Sequence, residues 1–453
     1  MRGIIFLLLV TLCYSARFFP SVLQPQAIDF PVQFFNQTLD HFNPTDSRTF
    51  TQRYWVNDKH WSGGDAPIIL YINGEGPVSG PPSASDDFVV TLADNLQATI
   101  VTLEHRYYGD SSPFDDLTVE NLRYLTVEQA LRDLENFVLS FREGLRVGDN
   151  ANAEFKIFNI GVSYSGALSA WFRLKYPHVT EGSIASSGVV NAILEFDQFD
   201  AQIVSATGSA CSTVLLKTMR QLESLISNND TNLSTKSKFL ADMLSDADFY
   251  LMMGDVTGEL VQYGHQADLC TPLVTSNGID LVEVLANITV NSWSGKFGMA
   301  YQYGQDHLKK TPHVVEWADR QWWWQTCTEL AYFQVAPKQN SVRSSTVDIG
   351  YFRSLCSNVF GEGTWPNTKA FNNAYGGNQT AATKVFFSNG SQDPWKWASV
   401  TDSLGMLEPA VVISCDNCGH GVLIRGCPGG CSPSDKLNQE REKAMKYVQQ
   451  WLL

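Results

Sequence analysis

The sequence has little histidine, little positive charge and, past its first residues, no long apolar run. Eight histidines occur in 453 residues, and 32 Lys and Arg stand against 47 Asp and Glu, a formal net charge of −15 at pH 7. That balance argues against nucleic acid and anionic membranes as partners. Repeats and low-complexity tracts are absent too. The one notable apolar run follows Arg2, from Ile4 to Leu12, with small residues near Cys13 and Ser15. This is the architecture of a cleaved secretory signal, residues 1–15, too short to span a bilayer. No later run approaches about 18 apolar residues, so a soluble lumenal or secreted chain is expected.

Nine cysteines are present, and removing Cys13 with the signal leaves eight. An even count in a secreted chain points to disulfides. Cys211 with Cys270, and Cys327 with Cys356, are local pairs. Cys415, Cys418, Cys427 and Cys431 have C-x2-C-x8-C-x3-C spacing, which two disulfides or a structural zinc would satisfy. Two disulfides are the expectation in an oxidising lumen, with no metal. Glycosylation sequons at Asn36, Asn229, Asn232, Asn287 and Asn378 predict surface positions. A sixth, at Asn389, is expected to stay bare because it lies beside a candidate site residue.

Gly161-Val162-Ser163-Tyr164-Ser165-Gly166 joins an apolar run, Phe155–Ile160, to a helix-like run, Ala167–Lys175. A serine at such a strand-to-helix turn is held clear of the sheet, at the positive end of the helix. The usual pattern is G-x-S-x-G; here Ser165 takes the last position and glycine follows one step later. Ser165 is the weaker candidate nucleophile, since its own flanks are Ser163 and Ala167. Downstream, a short strand at Lys384–Phe387 runs into a turn carrying Asp393. A second, Ala410–Ser414, precedes Cys418-Gly419-His420-Gly421. His420 is the only histidine after Asp393, and Ser–Asp–His is the triad order of α/β-hydrolases.

The spacing also draws a domain map. Ser163 and Asp393 are 230 residues apart by number, far more than a few strand–helix repeats need, so a domain is inserted between them. Strand-like runs at Pro67–Asn73, Thr99–Leu103, Phe155–Ile160 and Gly182–Ser187 alternate with helical pattern such as Thr126–Glu143, implying a parallel sheet. Helical periodicity dominates the insert, as in Ser212–Ile226 and Lys236–Leu251. The expectation is an α/β-hydrolase fold with a large, mainly helical cap. Its two parts are residues 16–196 and 370–453, the cap is residues 197–369, and Ser434–Leu453 is a closing amphipathic helix. The cap's Trp317, Trp322, Trp323 and Trp324 form either a core or a pocket lining, with Trp324 as the substrate-binding candidate.

Six segments resemble one family. They are Gln37 to Phe42, Gly74-Glu75-Gly76-Pro77, Glu104 to Gly109, Ser163 to His178, Gln325-Thr326-Cys327-Thr328-Glu329, and Asn389 to Trp395. Together they are similar to the lysosomal Pro-Xaa carboxypeptidase and dipeptidyl peptidase family of serine peptidases, from about residue 33 to the end. Gly-Glu-Gly-Pro looks closer to the thymus-specific serine protease branch. Two departures stand out: Ser165 replaces a small residue, and Gly-Val-Leu-Ile-Arg follows His420 where the family often has His-Leu-Asp-Leu-Arg.

The resemblance implies peptide substrates, cleavage after proline near a peptide terminus, and a lysosomal, vacuolar or secreted location. Ser163 would attack, His420 would move the proton, and Asp393 would orient the imidazole. Tyr164 N–H and the Gly74 loop would hold the oxyanion. No cofactor is needed. An aminopeptidase needs a carboxylate for the substrate ammonium, with Glu75 and Glu329 as candidates. A carboxypeptidase needs a cation for the terminal carboxylate, with Arg425 and Arg106 as candidates. An esterase or lipase, and an inactive binding homologue, remain open at this level, as does a homodimer.

Overall fold

The computed structural model describes residues 30–84, 87–292, 300–426 and 435–453. The signal segment, Cys427 and Cys431 lie outside them. Eight strands form one sheet: β1 (Gln33–Thr38), β2 (Thr49–Asn57), β3 (Ile68–Ile72), β4 (Thr99–Leu103), β5 (Ile157–Val162), β6 (Gly182–Ser186), β7 (Val385–Gly390) and β8 (Ala410–Ile413). Their spatial order is β1-β2-β4-β3-β5-β6-β7-β8. β2 runs antiparallel to both neighbours and every other pairing is parallel. This is an α/β-hydrolase fold with helical insertions.

β3 to β7 are almost continuously buried because both sheet faces are covered. On one face Ile69, Ile100, Phe158, Ile184 and Phe386 pack with Val89 and Leu92 of the helix Phe88–Leu96, and with Leu437 and Val448 of the closing helix Asp435–Leu452. On the other, Leu70, Val101 and Ala185 join a core shared with the helix Val127–Leu145 and the inserted helices. β1 and β2 have no counterpart in the sequence reading. They alternate exposed and buried residues, a weaker signal than the inner strands give.

Two of the family-like segments turn out to hold this edge together. Arg106, fully buried, grips both oxygens of Asp133 at 2.6 Å and donates to the carbonyls of Leu39 and Tyr124. His41 Nε2 is 2.8 Å from the same Asp133. Arg106 is therefore spent on structure, which removes it as a partner for a substrate carboxylate.

Between β6 and β7 the chain is helical. The helices Gln198–Ile226, Asp246–Gln262, Gln266–Val274, Asp319–Gln325 and Ile349–Phe360 dominate the insert. The helix anticipated at Lys236–Leu251 is instead broken. Asn232–Lys238 ends, Leu240 takes a positive φ of 55°, and Ser245 starts Asp246–Gln262 by accepting from Asp248 N. A serine cap followed by two acidic residues outweighs apolar periodicity there. Disulfides join Cys211 to Cys270 and Cys327 to Cys356 within the insert, and Cys415 to Cys418 beside β8. Cys415 and Cys418 thus bond each other rather than offering thiolates to a zinc. Asn36, Asn229, Asn287 and Asn378 are exposed, whereas Asn232, also expected at the surface, is half-buried with its amide donating to the Ile226 carbonyl. Asn389 is buried with its amide on the Val400 carbonyl.

Candidate active site

Ser163 occupies the turn between β5 and the helix Tyr164–Lys175 with φ 65° and ψ −129°. A non-glycine residue at positive φ costs on the order of 1–3 kcal/mol and persists only where its surroundings enforce it. Here Ser163 N donates to the Ser186 carbonyl of β6 at 3.0 Å. Gly161 cannot carry a side chain, since a Cβ there would lie 2.0 Å from the Ser165 carbonyl oxygen. Ser165 points the other way. Its buried hydroxyl accepts from Val162 N at 3.0 Å and donates to Val162 O at 2.8 Å. The substitution that looked like a departure closes the elbow on itself, leaving Ser163 as the available hydroxyl.

Asp393 sits in the turn after β7 and His420 in the loop after β8. His420 Nδ1 lies 3.0 and 2.9 Å from the two Asp393 oxygens, and both side chains are buried. A carboxylate at that distance puts the imidazole proton on Nδ1 and leaves a lone pair on Nε2. Nε2 is buried with no hydrogen-bond partner among the described residues. Trp395 N also donates to Asp393. The His420 loop abuts the elbow: Gly421 has φ 73°, and a Cβ there would fall 2.7 Å from Val162 Cγ1. Gly421 N donates to Ser187 Oγ, just past β6.

The insert reaches into the same place. His420 N donates to the Gln262 carbonyl at 2.6 Å, and Trp395 Nε1 donates to the Gln262 side chain at 2.8 Å. Tyr263 sets its ring edge-on to His420. Trp322 packs edge-on against Tyr164 and parallel to Tyr332, which in turn meets Trp395. Trp324, the tryptophan singled out from sequence, instead packs against Phe360; Trp322 is the one at the elbow. Trp322 belongs to the tryptophan cluster visible in the sequence, whereas neither Gln262 nor Tyr263 carries a local motif that would have announced it.

The loop after β3 lies across the elbow. A methyl group at Gly74 would be 3.5 Å from Ser165 N and 3.7 Å from Tyr164 Cδ1. Tyr164 N–H is the first of its helix, one of the N–H groups that has no carbonyl one turn back. Glu75 is partly buried; burial raises its pKa, opposed by a backbone hydrogen bond and by the charge of Arg425. Arg425 is exposed and lies over the Tyr263 ring. Glu329 accepts from Val127 N, capping the helix Val127–Leu145, and burial pushes its pKa up to about 7. Glu259, on the helix that ends at Gln262, is pushed up to about 8 by burial and by neighbouring Asp255.

The sequence family described as serine carboxypeptidase S28 matches residues 37–420. The chain is 43% identical to the probable serine protease EDA2 of Arabidopsis thaliana, over 92% of this chain and 88% of that protein. It is 32% identical to the thymus-specific serine protease of Mus musculus, over 92% and 86%. Against the lysosomal Pro-X carboxypeptidase of Mus musculus the identity is 26%, over 94% and 89%.

Proposed function

The chain belongs to the serine carboxypeptidase S28 family and is a serine peptidase, and from that premise we propose that Ser163, His420 and Asp393 are its triad, in an exopeptidase that cleaves after proline. The observation that carries the reading is the buried Asp393–His420 pair, set by Gly421 against the residue preceding Ser163. His420 Nε2 takes the Ser163 proton as the hydroxyl adds to the peptide carbonyl. The oxyanion is met by Tyr164 N–H and a donor from the Gly74 loop. The imidazolium, stabilised by Asp393, then protonates the leaving amine, and water repeats the sequence on the acyl-enzyme.

The rings of Trp322, Tyr332 and Trp395 offer an apolar wall suited to a proline side chain. With Arg106 consumed by Asp133 and Glu329 capping a helix, Glu75 and Arg425 are the charges left for a substrate terminus. Glu75 would serve an ammonium and Arg425 a carboxylate. Disulfides, together with the lysosomal relative, point to the secretory pathway or the extracellular space, and no described helix is long and apolar enough to cross a membrane.

Purified protein should hydrolyse either X-Pro-aminomethylcoumarin or Z-Pro-Phe, and the preferred one separates dipeptidyl release from carboxypeptidase action. Ser163→Ala should lower kcat at least about 10³-fold. Near-normal peptidase activity in that variant would remove the assignment.

A further inference from the structure

The segments Glu104–Gly109 and Gln325–Glu329 meet at one side chain, that of Tyr164. Its hydroxyl is 2.7 Å from Gln325 Nε2 and 3.2 Å from His105 Nε2. Gln325 Oε1 accepts from the Tyr108 hydroxyl at 2.6 Å. His105 Nδ1 is 2.8 Å from the Arg106 carbonyl, an acceptor only, so the His105 proton is on Nδ1. The directions are then fixed. Tyr108 O–H donates to Gln325, Gln325 N–H donates to Tyr164, Tyr164 O–H donates to His105, and His105 N–H donates to the backbone. All four side chains are buried, and burial holds His105 neutral, its pKa lowered to about 4.

A buried chain with one proton arrangement allows each member a single rotamer, because any other leaves an unpaired polar group. Tyr164 is further held between the rings of Trp322 and His105. Trp322 and Gln325 both belong to the inserted helix Asp319–Gln325, whereas His105 and Tyr108 follow β4. The residue after the proposed nucleophile is therefore pinned by the sheet on one side and by the insert on the other.

We propose that Gln325 is a positioning residue, which through the Tyr164 hydroxyl fixes the backbone N–H of Tyr164 for the oxyanion and so makes catalysis depend on seating of the helical insert. This rests on the serine-peptidase reading with Ser163 as nucleophile. The effect belongs to the transition state, where the oxyanion forms, so it should appear in kcat and not in KM.

The experiment compares wild type, Tyr164→Phe, Gln325→Leu and the double variant. It measures kcat and KM on whichever proline substrate wild type cleaves, the rate and stoichiometry of fluorophosphonate labelling, and thermal midpoint. Each single variant should lose about tenfold in kcat and in labelling rate, with KM within twofold and full final labelling. The double variant should be no slower than the worse single one, because both remove the same link. Tyr164→Phe deletes one oxygen and keeps the ring, so it decides the matter alone should Gln325→Leu not fold. Single variants that label and turn over at the wild-type rate, or losses that multiply in the double variant, would overturn the proposal. Wild type that does not label at all would instead refute the nucleophile reading on which it rests.

Discussion

At Ser165 a hydroxyl does work inside the elbow that a glycine or alanine there could not do. Ser165→Ala would leave Val162 N–H and C=O without that partner, at about 1–3 kcal/mol. We expect a lower thermal midpoint with fluorophosphonate labelling retained. Labelling lost in Ser165→Ala but kept in Ser163→Ala would exchange the roles of the two serines. Asp393→Asn should keep the fold and lower kcat by about 10⁴-fold, because the amide no longer holds the imidazole in its working tautomer; a loss under tenfold would sink the assignment of Asp393. The pairing of Asp393 with His420 was legible in the sequence because chain order and a scarcity of histidine leave few choices. The contacts of Gln262 and of Gln325, the latter within a family-like segment, were not. Their contacts reach Trp395 and Tyr164 across 133 and 161 residues, and a glutamine in a helix looks the same whether it faces solvent or a buried phenol.

Elements were legible in proportion to how completely they are buried. β3 to β8 follow apolar runs, and the closing helix Asp435–Leu452 follows amphipathic spacing. β1 and β2, with one side open to water, offered only broken alternation. The cap was readable as helical, but not where its helices stop, since those limits depend on caps such as Ser245. Its coherence depends partly on covalent ties. The Cys211–Cys270 bond joins Gln198–Ile226 to Gln266–Val274 across a separation of 59 residues. Loop-closure entropy assigns such a bond about 4 kcal/mol. Replacing both cysteines with serine should lower the thermal midpoint by several degrees and speed proteolysis within the insert first. An unchanged midpoint and cleavage pattern would show that packing alone holds these helices.

For the whole molecule, acidity should stabilise. Burial raises Asp200 to about 6, Glu329 to about 7 and Glu259 to about 8. Each binds a proton more tightly folded than unfolded. Its contribution is therefore fully present below the ordinary carboxyl range and is lost as pH rises through the folded value. His105 acts oppositely: lowered to about 4 by burial, it contributes above its ordinary value of 6.5 and loses that contribution as pH falls toward 4. At about 1.4 kcal/mol per pH unit per group, three carboxyls outweigh one imidazole between roughly pH 4.5 and 8. The net charge of −15 adds to the same trend, since its self-repulsion shrinks as carboxylates protonate. The thermal midpoint should thus be several degrees higher at pH 5.5 than at pH 8. Glu259→Gln isolates one contributor: a neutral amide in place of the burdened carboxyl should leave the midpoint at pH 5.5 nearly unchanged and raise it at pH 8, flattening the profile. A wild-type midpoint as high at pH 8 as at pH 5.5 would mean that these carboxyls are better solvated than their burial implies. A fold that gains stability in acid is suited to an acidic lumen.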